Sequence, residues 1–312
     1  MTLAILCSGQ GRQHRDMFAL TGDAPETAHL FAHAAALLGG RDPREFVRSE
    51  PDEVLHRNHA GQVLCTLQSL AAAAALADAI PRDVIIAGYS VGEVAAWGVG
   101  GLFDATATLD LVARRADAMD AVTHAGDGLV FVRGLPRDEV DRLCQRHGAA
   151  VAIVNPGDAY VIGGGREALD GIAADARAMH AARIVALPVE VASHTSRLTK
   201  ASAVFREALC AMPVLFPPRA GVRILSGIDA APVVGRESGL DKLAAQISHT
   251  VQWADCLQAC VEAGATAFLE LGPGHALSRM VADIDTGLPA RALDDFRSPQ
   301  GVRAWIARHL DA

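Results

Sequence analysis

The chain has 312 residues, 51% of them hydrophobic and 21% charged, with a formal net charge of −8 and only two lysines, Lys200 and Lys242. Disordered and fibrous classes are excluded, and the length suits one large domain or a large domain carrying a smaller one. A nucleic-acid partner is argued against as well, because phosphate binding needs a concentrated basic surface.

Residues 3–7 are apolar and run straight into Gly9-Gln10-Gly11. They lack a basic leader and the length of a secretory core, and read as a first buried strand. A helical stretch over 60–80 contains an alanine-rich run from Ser69 that meets Asp78 well short of membrane-spanning length, so it reads as a core helix. A second apolar strand over 84–87 and a helix over 91–100 continue the α/β pattern. Strands that are apolar throughout predict a parallel sheet covered on both faces.

From 129 the pattern changes. Strands at 129–133, 150–154, 160–163 and 183–187 alternate with helices at 137–146 and 167–179, with a turn at 155–158, in the order β-α-β-β-α-β of a split βαβ unit. Strands at 222–226 and 267–271 and helices at 240–247, 254–263 and 276–284 then resume the first style. The expectation is an α/β fold: a large α/β-hydrolase-like domain with a parallel sheet over 1–124 and 191–312, and an inserted small ferredoxin-like subdomain over 125–190. The six cysteines fall in strands or helices, as reduced buried thiols of a cytoplasmic protein do. Cys256 and Cys260 share a helix face, but no second ligand pair follows, and the core reading is preferred to a metal site.

Gly88-Tyr89-Ser90-Val91-Gly92 stands between an apolar strand and a helix, the setting a nucleophile elbow requires. Its glycines permit a tight turn that lifts the serine hydroxyl onto a helix N-terminus. An ordinary glycine-rich turn with a capping serine is the bland alternative. A serine nucleophile needs a base, and among twelve histidines His194, His275, His14 and His249 are the candidates that spacing leaves open. In the helix after the elbow, Arg114 has Asp110 and Asp117 at helical spacing and reads as a surface residue. Arg115 has only Leu111, Val112, Ala118 and Met119 around it, so its partner is either a substrate anion or a carboxylate from elsewhere in the fold. Gly9-Gln10-Gly11 lacks the third glycine of a dinucleotide fingerprint. It reads better as a loop donating a backbone N–H to an oxyanion together with Val91. Gly163-Gly164-Gly165 is expected to be structural, at a strand-to-helix turn.

Together these segments resemble the malonyl-CoA:acyl-carrier-protein transacylase family over nearly the whole chain. The likeness rests on Gly9-Gln10-Gly11, on Gly88-Tyr89-Ser90-Val91-Gly92-Glu93, on Arg115 with Met119, and on Ser193-His194. It extends to Gln246 with Val251 and Trp253, and to Gly272-Pro273-Gly274 with Leu277. The resemblance implies Ser90 as nucleophile, His194 as base, Arg115 as receptor of the malonyl carboxylate and Gln246 as the residue that positions His194 and the acyl group. It also implies Gln10 and Val91 as oxyanion donors, with Met119 and Asn155 on the substrate. A backbone group in place of a buried Asp would support the histidine, unlike the triad of a lipase-like hydrolase. No cofactor is implied; the substrate would be malonyl-CoA and the partner an acyl carrier protein with a phosphopantetheine-type arm. Stretches 226–229, 246–257 and 268–274 are most similar to the epsilon (acyltransferase) subunit of malonate decarboxylase, which implies partnership with other subunits of that enzyme. A fatty-acid-synthesis malonyltransferase, a serine thioester hydrolase and a non-catalytic carrier-binding scaffold are the rivals. Tyr89, Cys7-Ser8 and Asn155-Pro156 depart from the family pattern. Arg197, Lys200 and Arg206 are the expected basic surface for an acidic carrier.

Overall fold

The computed structural model describes residues 1–310. Its strands in chain order are β1 (Thr2–Cys7), β2 (Val84–Gly88), β3 (Asp127–Arg133), β4 (Ala150–Asn155), β5 (Ala159–Gly165), β6 (Arg183–Ala186), β7 (Val222–Ile224), β8 (Val251–Gln252), β9 (Ala265–Glu270) and β10 (Ala290–Ala292). They form two five-stranded sheets.

The first sheet runs β10-β9-β1-β2-β7 and is parallel throughout. β2 is buried along its whole length and β1 along all but its first residue, as expected where helices cover both faces of a parallel sheet. The helix Gly92–Val99 packs on β1 and β2. β1 pairs with β2 on one side and β9 on the other, so the loops after β1, β2 and β9 meet at the C-terminal edge where strand order reverses. That edge is where open α/β sheets form their clefts.

The second sheet has the order β6-β3-β5-β4-β8, antiparallel except for the β4–β8 pair. Helices Arg137–His147 and Arg166–Ala178 lie against it. Alternation decides what each face touches. Val130, Val132, Tyr160 and Ile162 pack with those helices, whereas Leu129, Ile153 and Val161 join the core of the parallel sheet. The expected β-α-β-β-α-β order is present, with one addition. β8, which lies outside 125–190, supplies the fifth strand, and Thr250 Oγ1 donates to the Val151 carbonyl at 2.7 Å.

Several local expectations shift. The alanine-rich helix spans Asn58–Ala75 and ends before Asp78. The Gly163-Gly164-Gly165 run belongs to β5 rather than to the turn after it. There a Cβ on Gly163 would meet Thr195 Cγ2 at 2.7 Å, so the glycine lets the second sheet close on the segment carrying His194. Five of the six cysteines are buried, as expected, while Cys210 is exposed. Cys256 and Cys260 are both core residues. Among the described residues no helix is long and apolar enough to cross a membrane.

Candidate active site

The turn after β2 is drawn as tight as backbone allows. A Cβ on Gly88 would come within 2.1 Å of Gly92 backbone atoms, and one on Gly92 within 2.1 Å of the Cys7 carbonyl oxygen. Between these glycines Ser90 takes φ +58°, a left-handed conformation that costs a non-glycine residue and points to a functional constraint. The strain lifts its hydroxyl to the N-terminus of Gly92–Val99, half-buried at the sheet edge.

His194, 2% exposed, faces that hydroxyl: Ser90 Oγ and His194 Nε2 are 2.8 Å apart. His194 Nδ1 lies 2.6 Å from the backbone carbonyl of Gln246. A carbonyl only accepts, so Nδ1 carries the proton and Nε2 is left to accept from Ser90. Burial first, and then the positive charge of Arg115, push the histidine pKa down to about 3, against the Gln246 carbonyl, which raises it. Sequence spacing left four histidines open; the structure takes the other three away from Ser90. His14 pairs with Asp294 at 2.8 Å, His249 is exposed with Nδ1 on the Ala245 carbonyl, and His275 stands at the start of the helix Ala276–Val281.

Arg115 is fully buried, as its apolar helical neighbours predict. Among the described residues no carboxylate lies within salt-bridge distance of it. One terminal nitrogen donates to Gln62 Oε1 at 2.7 Å and contacts Met119 Sδ at 3.4 Å; the other donates to Gln246 Oε1 at 3.2 Å. Its Nε has no partner among the described residues. Desolvation lowers its pKa to about 10, opposed by the charge of Glu93, so the guanidinium stays protonated at neutral pH. Arg114 is exposed as expected, but not paired as expected: Asp110 is engaged by His33 and Asp117 by His59.

The Gly9-Gln10-Gly11 loop lies against the elbow. A Cβ on Gly9 would stand 2.7 Å from the Tyr89 carbonyl oxygen and 3.4 Å from Ser90 Cβ. The Gln10 and Val91 backbone N–H groups donate to no protein acceptor among the described residues. Tyr89 meets Trp253 edge-on, with centroids 5.3 Å apart, and its phenol neighbours Asn155. Asn155, 4% exposed, has neither amide atom hydrogen-bonded among the described residues.

Two contributors carry no role in the sequence reading: Gln62 has no local signature, and Glu93 closes the elbow stretch without a role assigned to it. Gln62 holds Arg115, with its own Nε2 on Asn58 Oδ1 at 2.7 Å. Glu93 accepts from Gln246 Nε2 at 2.6 Å and from the Gly227 N–H at 3.0 Å. The expected basic surface is largely neutralised. Arg197 is bound to Asp127 at 2.6 Å, and Arg206 to Asp241 and Glu237 at 2.6 and 3.0 Å.

A serine within reach of a neutral imidazole, beside unclaimed backbone donors and a buried cation, is equipped for acyl transfer. A family model for the acyl transferase domain matches residues 5–290. The chain belongs to that family. This acyltransferase is 29% identical over 295 residues to the malonyl CoA-acyl carrier protein transacylase of Mycobacterium bovis, an alignment covering 93% of this chain and 96% of the relative. It is 27% identical over 300 residues to the protein of the same name from Escherichia coli K12, covering 94% and 96%. Among solved structures, the malonyl-CoA:acyl carrier protein transacylase of Xanthomonas oryzae pv. oryzae superposes with a TM-score of 0.89 at 28% identity, covering 99% of both chains.

Proposed function

We propose that this acyltransferase is a malonyl-CoA:acyl-carrier-protein malonyltransferase working through a Ser90 acyl-enzyme. His194 takes the Ser90 proton as Oγ attacks the malonyl thioester carbonyl. The tetrahedral oxyanion is held by the Gln10 and Val91 N–H groups, and on collapse the C–S bond breaks and His194 returns the proton to the CoA thiol. A carrier-protein thiol then repeats the steps in reverse, completing a ping-pong cycle. Each oxyanion donor is worth about 3–4 kcal/mol in enzymes of comparable chemistry. Met119 and Asn155 line the acyl site. No cofactor is needed.

The observation that carries the malonyl assignment is Arg115: a buried, protonated guanidinium with, among the described residues, a free Nε and no carboxylate in contact, linked to the Ser90 carbonyl through Gln246. Burying that cation is costly unless an anion arrives, and the free carboxylate of a malonyl group is such an anion. The names of the relatives favour the same substrate. Intact-mass spectrometry after brief incubation with malonyl-CoA should show a malonyl adduct on the native protein and none on Ser90→Ala. Arg115→Ala should lose malonyl uptake by about 100-fold or more while acetyl uptake persists. Equal loss of both acyl groups would defeat the carboxylate role.

For the acceptor, we read the carrier of a malonate decarboxylase, in a cytoplasmic enzyme, supported by the likeness of 226–229, 246–257 and 268–274 to that branch. Faster malonyl transfer to a decarboxylase carrier than to a fatty-acid carrier is the expected result; the reverse would assign the enzyme to fatty-acid or polyketide synthesis. The segment 125–190, which supplies four strands of the second sheet, is read as a ferredoxin-like subdomain inserted in a hydrolase-like domain spanning 1–124 and 191–312.

A further inference from the structure

The proposed reaction leaves Glu93 unused, although it is 1% exposed and sits one helical turn behind Ser90. Its surroundings converge on Gln246. The Gln246 Nε2 donates both to Glu93 Oε2 at 2.6 Å and to the Ser90 carbonyl at 3.0 Å, while Oε1 accepts from Arg115 at 3.2 Å. The same residue's backbone carbonyl holds His194. An amide can face this set in one way only. Turned over, its oxygen would confront the Glu93 carboxyl and the Ser90 carbonyl, and its N–H groups would confront a guanidinium.

We propose that Glu93 is a positioning residue for acyl selectivity: it locks the Gln246 side chain so that Oε1 holds Arg115 aimed at the acyl carboxylate. Arg115 is thereby oriented by a carboxyl group it does not touch. This rests on the reading of Arg115 given above. The decisive feature is reach, because one atom, Oε2, accepts from both Gln246 and the Gly227 N–H. Glu93→Gln preserves that acceptor when its carbonyl oxygen takes the place of Oε2, while removing the charge and putting an NH2 in place of Oε1. Glu93→Asp keeps the charge but withdraws the oxygen by one methylene. The other charged or titratable groups facing Glu93 are Arg115 and Cys256, and neither is altered by these variants.

The test is the ratio of Ser90 acylation by malonyl-CoA to that by acetyl-CoA, read by intact mass, with thermal melting to confirm folding. For Glu93→Gln the ratio should stay within about threefold of native. For Glu93→Asp it should fall about tenfold, with acetyl uptake changed by less than about threefold. A native ratio in Glu93→Asp, or a larger loss in Glu93→Gln than in Glu93→Asp, would overturn the proposal. So would equal loss of both acyl groups in Glu93→Asp, which marks a purely structural role. If Glu93→Asp does not fold, Glu93→Ala takes its place under the same criteria, because it also withdraws the acceptor from Gln246 and Gly227: a native ratio there, or a lost ratio in Glu93→Gln, overturns the proposal. Failure of the native protein to take up either acyl group would instead reject the transferase reading itself.

Discussion

The imidazole of His194 stands where an imidazolium is penalised twice, by burial and by Arg115, which is why its pKa falls to about 3 from 6.5. It is therefore neutral, the form that accepts a proton from Ser90, over about pH 5 to 8. Single-turnover acylation should show no acid limb near the ordinary histidine value; a tenfold fall per unit below it would show that the ring titrates normally. Arg115→Ala removes one of the two depressing causes, so any acid limb should move upward in that variant. Much of this chemistry is legible in the residues themselves. Ser90 is marked by its glycines between strand and helix, and Arg115 by a helical row of apolar neighbours. His194 is not, because its partnership with Ser90 spans 104 positions and spacing cannot separate it from His14, His249 or His275. Gln62 is harder still, and Glu93, though it closes the elbow stretch, shows no role there, since the value of both lies in contacts made only after folding.

At the scale of elements, the elbow works by forcing Ser90 to φ +58°. Any residue with a Cβ carries that strain, whereas glycine does not. Ser90→Gly should consequently be more stable than Ser90→Ala by about 1 kcal/mol, although both lack the nucleophile. Paired thermal melts check this, and a Ser90→Ala protein as stable as Ser90→Gly would mean the turn is relaxed. The elbow's turn type follows from Gly88 and Gly92, whose substitution by any larger residue meets backbone at 2.1 Å. The fully apolar strands β1 and β2 likewise announce the parallel sheet. β8 escapes such reading: two residues long, it has no period of its own and exists because β4 offers it an edge. The pairing matters for the site, since it anchors the segment that follows Gln246.

Across the whole molecule, the C-terminal edge of the parallel sheet carries two buried carboxyls that fasten loops to it. Glu93 fastens the Gln246 segment, and Glu270 accepts from Ser8 Oγ at 2.7 Å and from the Ser278 N–H at 2.8 Å, joining the loop after β1 to the helix Ala276–Val281. Desolvation raises both to about 7 from 4.5, outweighing the hydrogen bonds that lower them, including those from Gly227 and Gln246 at Glu93 and from Ser278 and Ser8 at Glu270. Between those two values the folded protein keeps protons that the unfolded chain has released. The stability they contribute is fully present below about pH 4.5 and is lost as pH rises through about 7. His194 acts in the opposite sense between about 3 and 6.5, where the unfolded chain binds the extra proton. The native slope mixes these groups, so the informative quantity is a difference. Glu93→Gln deletes one carboxyl and leaves Glu270 and His194 in place. Its stability relative to native should rise with pH between 5 and 6.5 by up to about 1.4 kcal/mol per pH unit, one proton's worth. Urea denaturation of both proteins at several pH values in that interval measures it. Parallel stability curves would mean that Glu93 ionises alike in the folded and unfolded chain, and that its burial against Gln246 and Gly227 is fully compensated.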